Sequence, residues 1–127
     1  MQIEQILARK GYAVHTVLPD SNLADASRLL IEKDIGVLVC TDQTGGIVGI
    51  LSERDLARAL GRHGAEAAGL RVSDVMTRDV VACAVSDTVE YLLTIMTETR
   101  CRHIPVVREG KLIGLVSIGD LVKAHLV

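Results

Sequence analysis

Leu23, Ala26, Leu29 and Leu30 recur at helical spacing and mark one apolar face, which predicts an amphipathic helix over residues 23–33. Pro19-Asp20-Ser21-Asn22 before it reads as a turn running into an N-cap, because Asp, Ser and Asn can accept hydrogen bonds from the free amides of a first helical turn. Residues 14–18 have strand character. After Asp34, the apolar runs 35–40 and 47–51 flank the Gly-rich turn Thr41-Asp42-Gln43-Thr44-Gly45-Gly46, the signature of a hairpin. Ser52 then opens a helix that closes near Gly61. Residues 62–69 read as a loop or a frayed helix end, and residues 71–76 as a short helical turn. The plan then begins again. Residues 80–85 are a predicted strand, Ser86-Asp87-Thr88 starts a helix carrying Val89, Leu92, Leu93 and Met96, residues 103–107 and 111–117 form a second hairpin, and residues 118–126 a closing helix.

The text repeats along with the pattern. Gly49-Ile50-Leu51-Ser52-Glu53-Arg54-Asp55-Leu56 is answered by Gly114-Leu115-Val116-Ser117-Ile118-Gly119-Asp120-Leu121. Upstream, one constant offset sets Val14 against Val80, Leu23 against Val89, Leu30 against Met96 and Glu32 against Glu98. The longer first hairpin turn accounts for the small change of register, since Arg108-Glu109-Gly110 is its shorter counterpart. A repeat fixes the unit of folding. Two units of roughly 60 residues are each marginal alone and plausible as a pair. They are expected at residues 7–64 and 71–127, each strand, helix, strand, strand, helix, giving an α+β fold.

Composition narrows the function. The chain has two Tyr and no Phe or Trp, so its core must be aliphatic and it offers no stacking platform for single-stranded nucleic acid. Acids outnumber bases by 16 to 14, which argues against a general nucleic-acid binder. The apolar runs are too short to span a bilayer, and Met1-Gln2-Ile3-Glu4 lacks the features of a secretion signal. The expectation is a cytoplasmic protein that engages neither membrane nor nucleic acid. An odd count of three cysteines does not suggest a disulfide framework. Cys40 and Cys83, in apolar runs, are expected to be buried and inert. Cys101 with His103 is too small a donor set for a metal site.

The repeated Gly-x-x-Ser-x-x-Asp carries the candidate chemistry. In its structural role, Ser and the acid three residues later form a capping box. In a binding role, the same Ser lies beside free amides suited to phosphate, and the Asp can accept hydrogen bonds from sugar hydroxyls. Gly49 and Gly114 would allow close backbone approach. Its presence in both halves, each time after a hairpin strand, favours ligand binding in at least one copy. His15, His63 and His125 have no clustered partners, Met76 and Met96 suit core filling, and Glu53 suits a helix start. No arrangement of Ser, His and Asp has spacing suited to nucleophilic catalysis, and no catalytic residue is assigned.

The chain resembles a tandem pair of cystathionine-β-synthase (CBS) domains, a Bateman module, of the stand-alone bacterial type. The resemblance rests on Val17-Leu18-Pro19-Asp20, Ile35-Gly36-Val37-Leu38-Val39, Asp74-Val75-Met76-Thr77, Arg102-His103-Ile104-Pro105-Val106-Val107 and the closing Gly114 to Leu121 motif. It implies two units packed sheet to sheet about a pseudo-two-fold axis, with clefts that take AMP, ADP, ATP, NAD(H) or S-adenosylmethionine, and a homodimer formed through helix faces. No cofactor would be required beyond such a ligand. Carried onto this sequence, Ser117 with Asp120 and Ser52 with Asp55 would hold phosphate and ribose, beside Leu115 and Ile50. The adenine slot would involve Thr77, Val80, Cys101, Arg102 and His103 in the second half, and Ala13, Val14, Ile35, Gly36 and Val37 in the first. Lys10-Gly11 stands where the second half has Met76-Thr77, a departure from the pattern.

Phosphate needs positive charge. Arg54 in the first motif, and Arg102 and His103 in the second half, are the candidates, with Arg favoured for its bidentate geometry. Gly119 replaces Arg54 in the second motif, so the two sites should differ in charge. The resulting expectation is a regulatory module that senses an adenine nucleotide and signals to a separate partner protein. The alternatives are a non-binding dimerisation scaffold and, more remotely, an enzyme acting on nucleotides.

Overall fold

Helices begin where side chains can cap them. In the structure, a computed structural model that describes residues 1–126, the elements follow in the order α1 (Ile3–Lys10), β1 (Thr16–Val17), α2 (Leu23–Lys33), β2 (Val37–Thr41), β3 (Ile47–Ser52), α3 (Glu53–His63), a 3₁₀ turn (Gly64–Gly69), α4 (Val72–Val75), α5 (Val89–Thr99), β4 (His103–Arg108), β5 (Lys111–Ser117) and α6 (Ile118–His125). Asn22, Ser52, Thr88 and Ser117 each accept a hydrogen bond from the amide three residues on, fixing the starts of α2, α3, α5 and α6. Val127, the last residue of the expected second domain, lies outside the described residues. Among the described residues no helix is long and apolar enough to cross a membrane.

Chain contacts divide the protein into two compact units, His15–Val80 and a unit made of Met1–Val14 with Val81–Val127. The compact units therefore differ from a plain cut between the repeats. The segment before the first repeat packs with the second repeat, and residues 71–80 pack with the first.

In the His15–Val80 unit, β1 runs parallel to β2, and β2 antiparallel to β3 with a bulge at Cys40/Thr41. Leu23, Ala26 and Leu30 on α2 meet Leu38, Cys40 and Leu51 of the sheet, with Ala59, Ala67, Val72 and Met76 completing the core. Met76 and Thr77 lie along β3, where Thr77 and Ile50 exchange both backbone hydrogen bonds at 2.9 Å. Gly49 is required by that approach: a Cβ there would lie 2.6 Å from Met76 Sδ and 3.0 Å from Thr77 O.

The other unit is built on the β4–β5 hairpin, α5 and α6, with α1 as an added helix. Ile3, Ile6 and Leu7 on α1 join Val89, Leu92, Met96, Ile104, Val106, Val116 and Leu121 in one core. The chain start is tied by Ile3 N–H to Asp87 O (2.9 Å) and Glu4 N–H to Val85 O (3.0 Å). Leu7 occupies the space over Gly114, where a Cβ would lie 3.0 Å from its methyl carbons. No helix was expected here, although Ile3, Ile6, Leu7 and Lys10 have helical spacing.

The expected strand over residues 80–85 is reduced to one parallel bridge, Cys83 with Val106. Pro105 explains this. In the first repeat Val39 N–H donates to His15 O at 3.2 Å, which extends β1 along β2. Pro105 stands at the position matching Val39 and has no N–H to give, so the corresponding bond cannot form and the ladder stops at Cys83.

Gly49→Ala should destabilise the protein by about 1–3 kcal/mol through overpacking against Met76 and Thr77. Gly61→Ala, in α3 with open space around its Cβ position, should stabilise it by about 0.5–1 kcal/mol. Denaturant unfolding of both variants checks this, and a neutral Gly49→Ala would contradict the close contact.

Candidate functional site

Both copies of the repeated motif form the same local structure. A hairpin strand ends at Ser52 or Ser117 and a helix begins at the next residue. Ser52 Oγ accepts from Asp55 N–H at 3.2 Å while Asp55 Oδ2 accepts from Ser52 N–H at 2.9 Å. Ser117 Oγ accepts from Asp120 N–H at 3.1 Å while Asp120 Oδ2 accepts from Ser117 N–H at 2.9 Å. Each is a complete capping box with Asp as its acid. The turn into each helix is held alike, by Glu53 N–H to Gly36 O at 3.0 Å and Ile118 N–H to Arg102 O at 2.8 Å.

The two carboxylates differ in every other partner. Asp55 is buried, only 7% exposed. Its Oδ2 takes a second bond from Ser52 Oγ (3.0 Å) and its Oδ1 a bond from Thr77 Oγ1 (3.2 Å). Asp120 keeps a quarter of its side-chain surface exposed, and its Oδ2 pairs with Lys10 Nζ at 2.7 Å. The same ammonium donates to Leu115 O at 2.9 Å. Leu115 matches Ile50 in the repeat, whose carbonyl accepts instead from the Thr77 backbone. A lysine side chain thus serves in one unit where a backbone amide serves in the other.

The structure regroups the expected site residues. Thr77 and Val80, expected in the adenine slot of the second half, belong to the unit of Ser52 and Asp55. Ala13 and Val14, expected in the slot of the first half, belong to the unit of Asp120. The cause is the exchange of lead-in segments described above. Around Asp120 the structure assembles Lys10, Arg102, His103, Leu115 and Ser117, with His103 paired to Ser117 across the β4–β5 ladder. Cys101 is half-buried, its sulfur 3.0 Å from Thr99 Oγ1. In the other unit, Val37 pairs with Ser52 across the β2–β3 ladder, while Ile35 and Gly36 line a groove of about 530 Å³ with Leu30, Ile31, Glu53 and Leu56. Neither Ser52 nor Asp55 lines that groove.

The expected cations stand in different surroundings. Burial lowers the pKa of His103 below its ordinary 6.5, Lys10 and Arg102 lower it further, and the opposing pull of Asp120 does not compensate. The shift favours the neutral imidazole near pH 7, so His103 carries little of the positive charge here. Arg54 and Arg102 are exposed and form no ion pair among the described residues. The cation in contact with the motif is Lys10, which sequence reasoning read only as a departure from the pattern. Burial alone would raise the Asp120 carboxyl, but the hydrogen bonds from Lys10 and Ser117 and the Lys10 charge hold it below the ordinary 3.8.

Cys40 and Cys83 are free and buried, and burial pushes both thiols up to about 12, with Asp55 and Asp87 adding to the shift. Among the described residues no three His, Cys, Asp or Glu side chains are arranged to hold a metal ion.

The family model for the CBS domain matches residues 4–62 and 72–126, and the chain belongs to that family. Its structure is similar to that of a CBS-domain containing protein from Agrobacterium tumefaciens, with 42% identity, a TM-score of 0.95 and coverage of 98% of this chain and 99% of that one. It is also similar to the structure of CBSX2 in complex with AMP, with 33% identity, a TM-score of 0.75 and coverage of 89% and 87%. The mitochondrial CBS domain-containing protein CBSX3 of Arabidopsis thaliana is 33% identical over 83% of this chain, which spans 53% of that protein's length. The α+β architecture and the tandem CBS pair expected from the sequence are thereby established.

The lowered Asp120 carboxyl fixes the sign of a pH effect. Its stabilising contribution is present above the ordinary carboxyl value and lost as pH falls through the lowered one. A partly exposed pair of this kind contributes about 0.2–1 kcal/mol. Wild type should exceed Asp120→Asn in stability near neutrality, with the gap closing between about pH 5 and pH 2. Denaturant titrations across that range check it; a gap independent of pH would contradict the pairing.

Proposed function

We propose that this chain is a regulatory module that binds an adenine nucleotide (AMP, ADP, ATP or NAD(H)) at the Ser117–Asp120 turn, and that it passes the binding signal to a partner protein without catalysing a reaction. The observation that carries this reading is Asp120 itself. It is oriented by a capping box, partly exposed, and beside an ammonium. A sugar hydroxyl can donate to the carboxylate while Lys10 and the positive end of the helix dipole attract phosphate. The AMP complex of CBSX2, 33% identical, supports the choice of ligand. Asp55 is the weaker candidate, because it is buried and both its oxygens already accept hydrogen bonds.

Regulation follows only if the nucleotide binds one arrangement of the protein better than another. Self-association through helix faces belongs to the same proposal, supported by the exposure of Ile31 on α2 (79%) and Leu60 on α3 (62%). Sedimentation with and without ligand reads both the association and its response. Dissimilar hydrodynamic behaviour with nucleotide would support coupling, and a monomer throughout would remove self-association from the proposal.

Thermal melting with AMP, ATP, NADH and S-adenosylmethionine tests binding directly. Ligand at a hundredfold excess over its Kd should stabilise wild type by about 2.7 kcal/mol. Asp120→Ala should lose that gain. Asp55→Asn should melt at a lower temperature yet keep most of it, because a buried hydrogen-bonded carboxylate is altered there. No shift with any of the four ligands would overturn the proposal and favour a scaffold; equal losses in the two variants would overturn the site assignment.

A further inference from the structure

We propose that Lys10 is the residue that makes the Asp120 site prefer phosphorylated adenosine over the bare nucleoside. This inference rests on the reading that adenine nucleotides bind at Ser117–Asp120, and it adds a residue from α1 that the repeated motif does not contain.

Three observations carry it. The first is valence. A lysine ammonium has three N–H donors. One lies 2.7 Å from Asp120 Oδ2 and one 2.9 Å from Leu115 O, which leaves one to donate. The second is the division of work on the carboxylate. Oδ2 holds both Lys10 and Ser117 N–H, whereas Oδ1 has no hydrogen bond among the described residues and can accept from a ribose hydroxyl. The third is charge. Asp120 alone would repel a phosphate, and the ion pair cancels that repulsion while the third N–H gives the anion a charge-assisted bond. His103 supplies little of this charge, since its shift favours the neutral imidazole near pH 7.

The placement of Lys10 is built into the fold. It ends α1, whose Ile3, Ile6 and Leu7 are locked into the core, so the last turn is held in position. The C-terminal end of a helix favours a cation. Gly11 follows with φ 103°, a backbone conformation that turns the chain immediately after the lysine. In the other unit the matching residue is Met76, buried in the core, and Thr77 bonds the carboxylate in place of a cation. Of the two acids, Asp120 is therefore the one with a fixed positive charge on it among the described residues.

Calorimetric affinities for AMP and for adenosine, measured on wild type, Lys10→Gln and Lys10→Arg, test the assignment. Lys10→Gln should weaken AMP roughly tenfold to a hundredfold, the range for losing a charged hydrogen bond, and leave adenosine within a few-fold of wild type. Lys10→Arg should restore most of the preference for AMP. Lys10→Met, which keeps the packing of the stem, is the second neutral variant should the glutamine disturb folding. If neutral variants keep the wild-type ratio of AMP to adenosine affinity, the role of Lys10 is overturned while nucleotide binding stands. If AMP and adenosine weaken equally, Lys10 serves structure alone and the inference is again overturned. If wild type binds neither, the functional proposal and this inference both fall.

Discussion

The local structure of both units depends on one constraint, the capping box that joins a hairpin strand to the helix after it. The first amides of a helix have no partners within it. Ser52 and Ser117 each satisfy one, and Asp55 and Asp120 return a bond to the serine amide. The exchange fixes the carboxylate beside a helix N-terminus at the edge of a two-strand ladder. A cap of this type contributes about 1 kcal/mol, so the motif would be retained for folding even with no ligand to bind. The two copies differ through the partners each acid finds next.

Those partners come from the segments that lead into each repeat. Residues 71–80 deliver Thr77 to Asp55, and α1 delivers Lys10 to Asp120. The same box thus yields a buried carboxylate enclosed by neutral donors in one unit, and a partly exposed carboxylate paired with a cation in the other. Divergence at two adjacent positions, Lys10-Gly11 against Met76-Thr77, is enough to separate them chemically. Gly49 and Gly114 make the arrangement possible by letting Met76 and Leu7 pack directly over the hairpin backbone.

Most of the fold was legible because its signals are local. The apolar face of α2 and the caps at Asn22, Ser52, Thr88 and Ser117 are written in short stretches of sequence. The weak points were long-range. A strand was expected at residues 80–85 from its apolar run, yet Pro105, distant in sequence, withholds the N–H that pairing requires. Periodicity in Ile3, Ile6 and Leu7 was available but went unread, and with it the helix that carries Lys10. The motif pointed to both acids; it could not say that Thr77 would reach Asp55, because repeat boundaries in sequence do not specify which compact unit a lead-in segment joins. The shift of His103 toward the neutral imidazole was equally invisible, since it follows from burial near Lys10 and Arg102.

The central claim is that two copies of one motif have become one nucleotide site and one structural carboxylate. Binding stoichiometry measured by titration calorimetry with AMP tests it most directly. The account predicts a single strong site per chain, with any second binding event much weaker. Two equivalent sites per chain, or saturation without any heat or stabilisation, would contradict it.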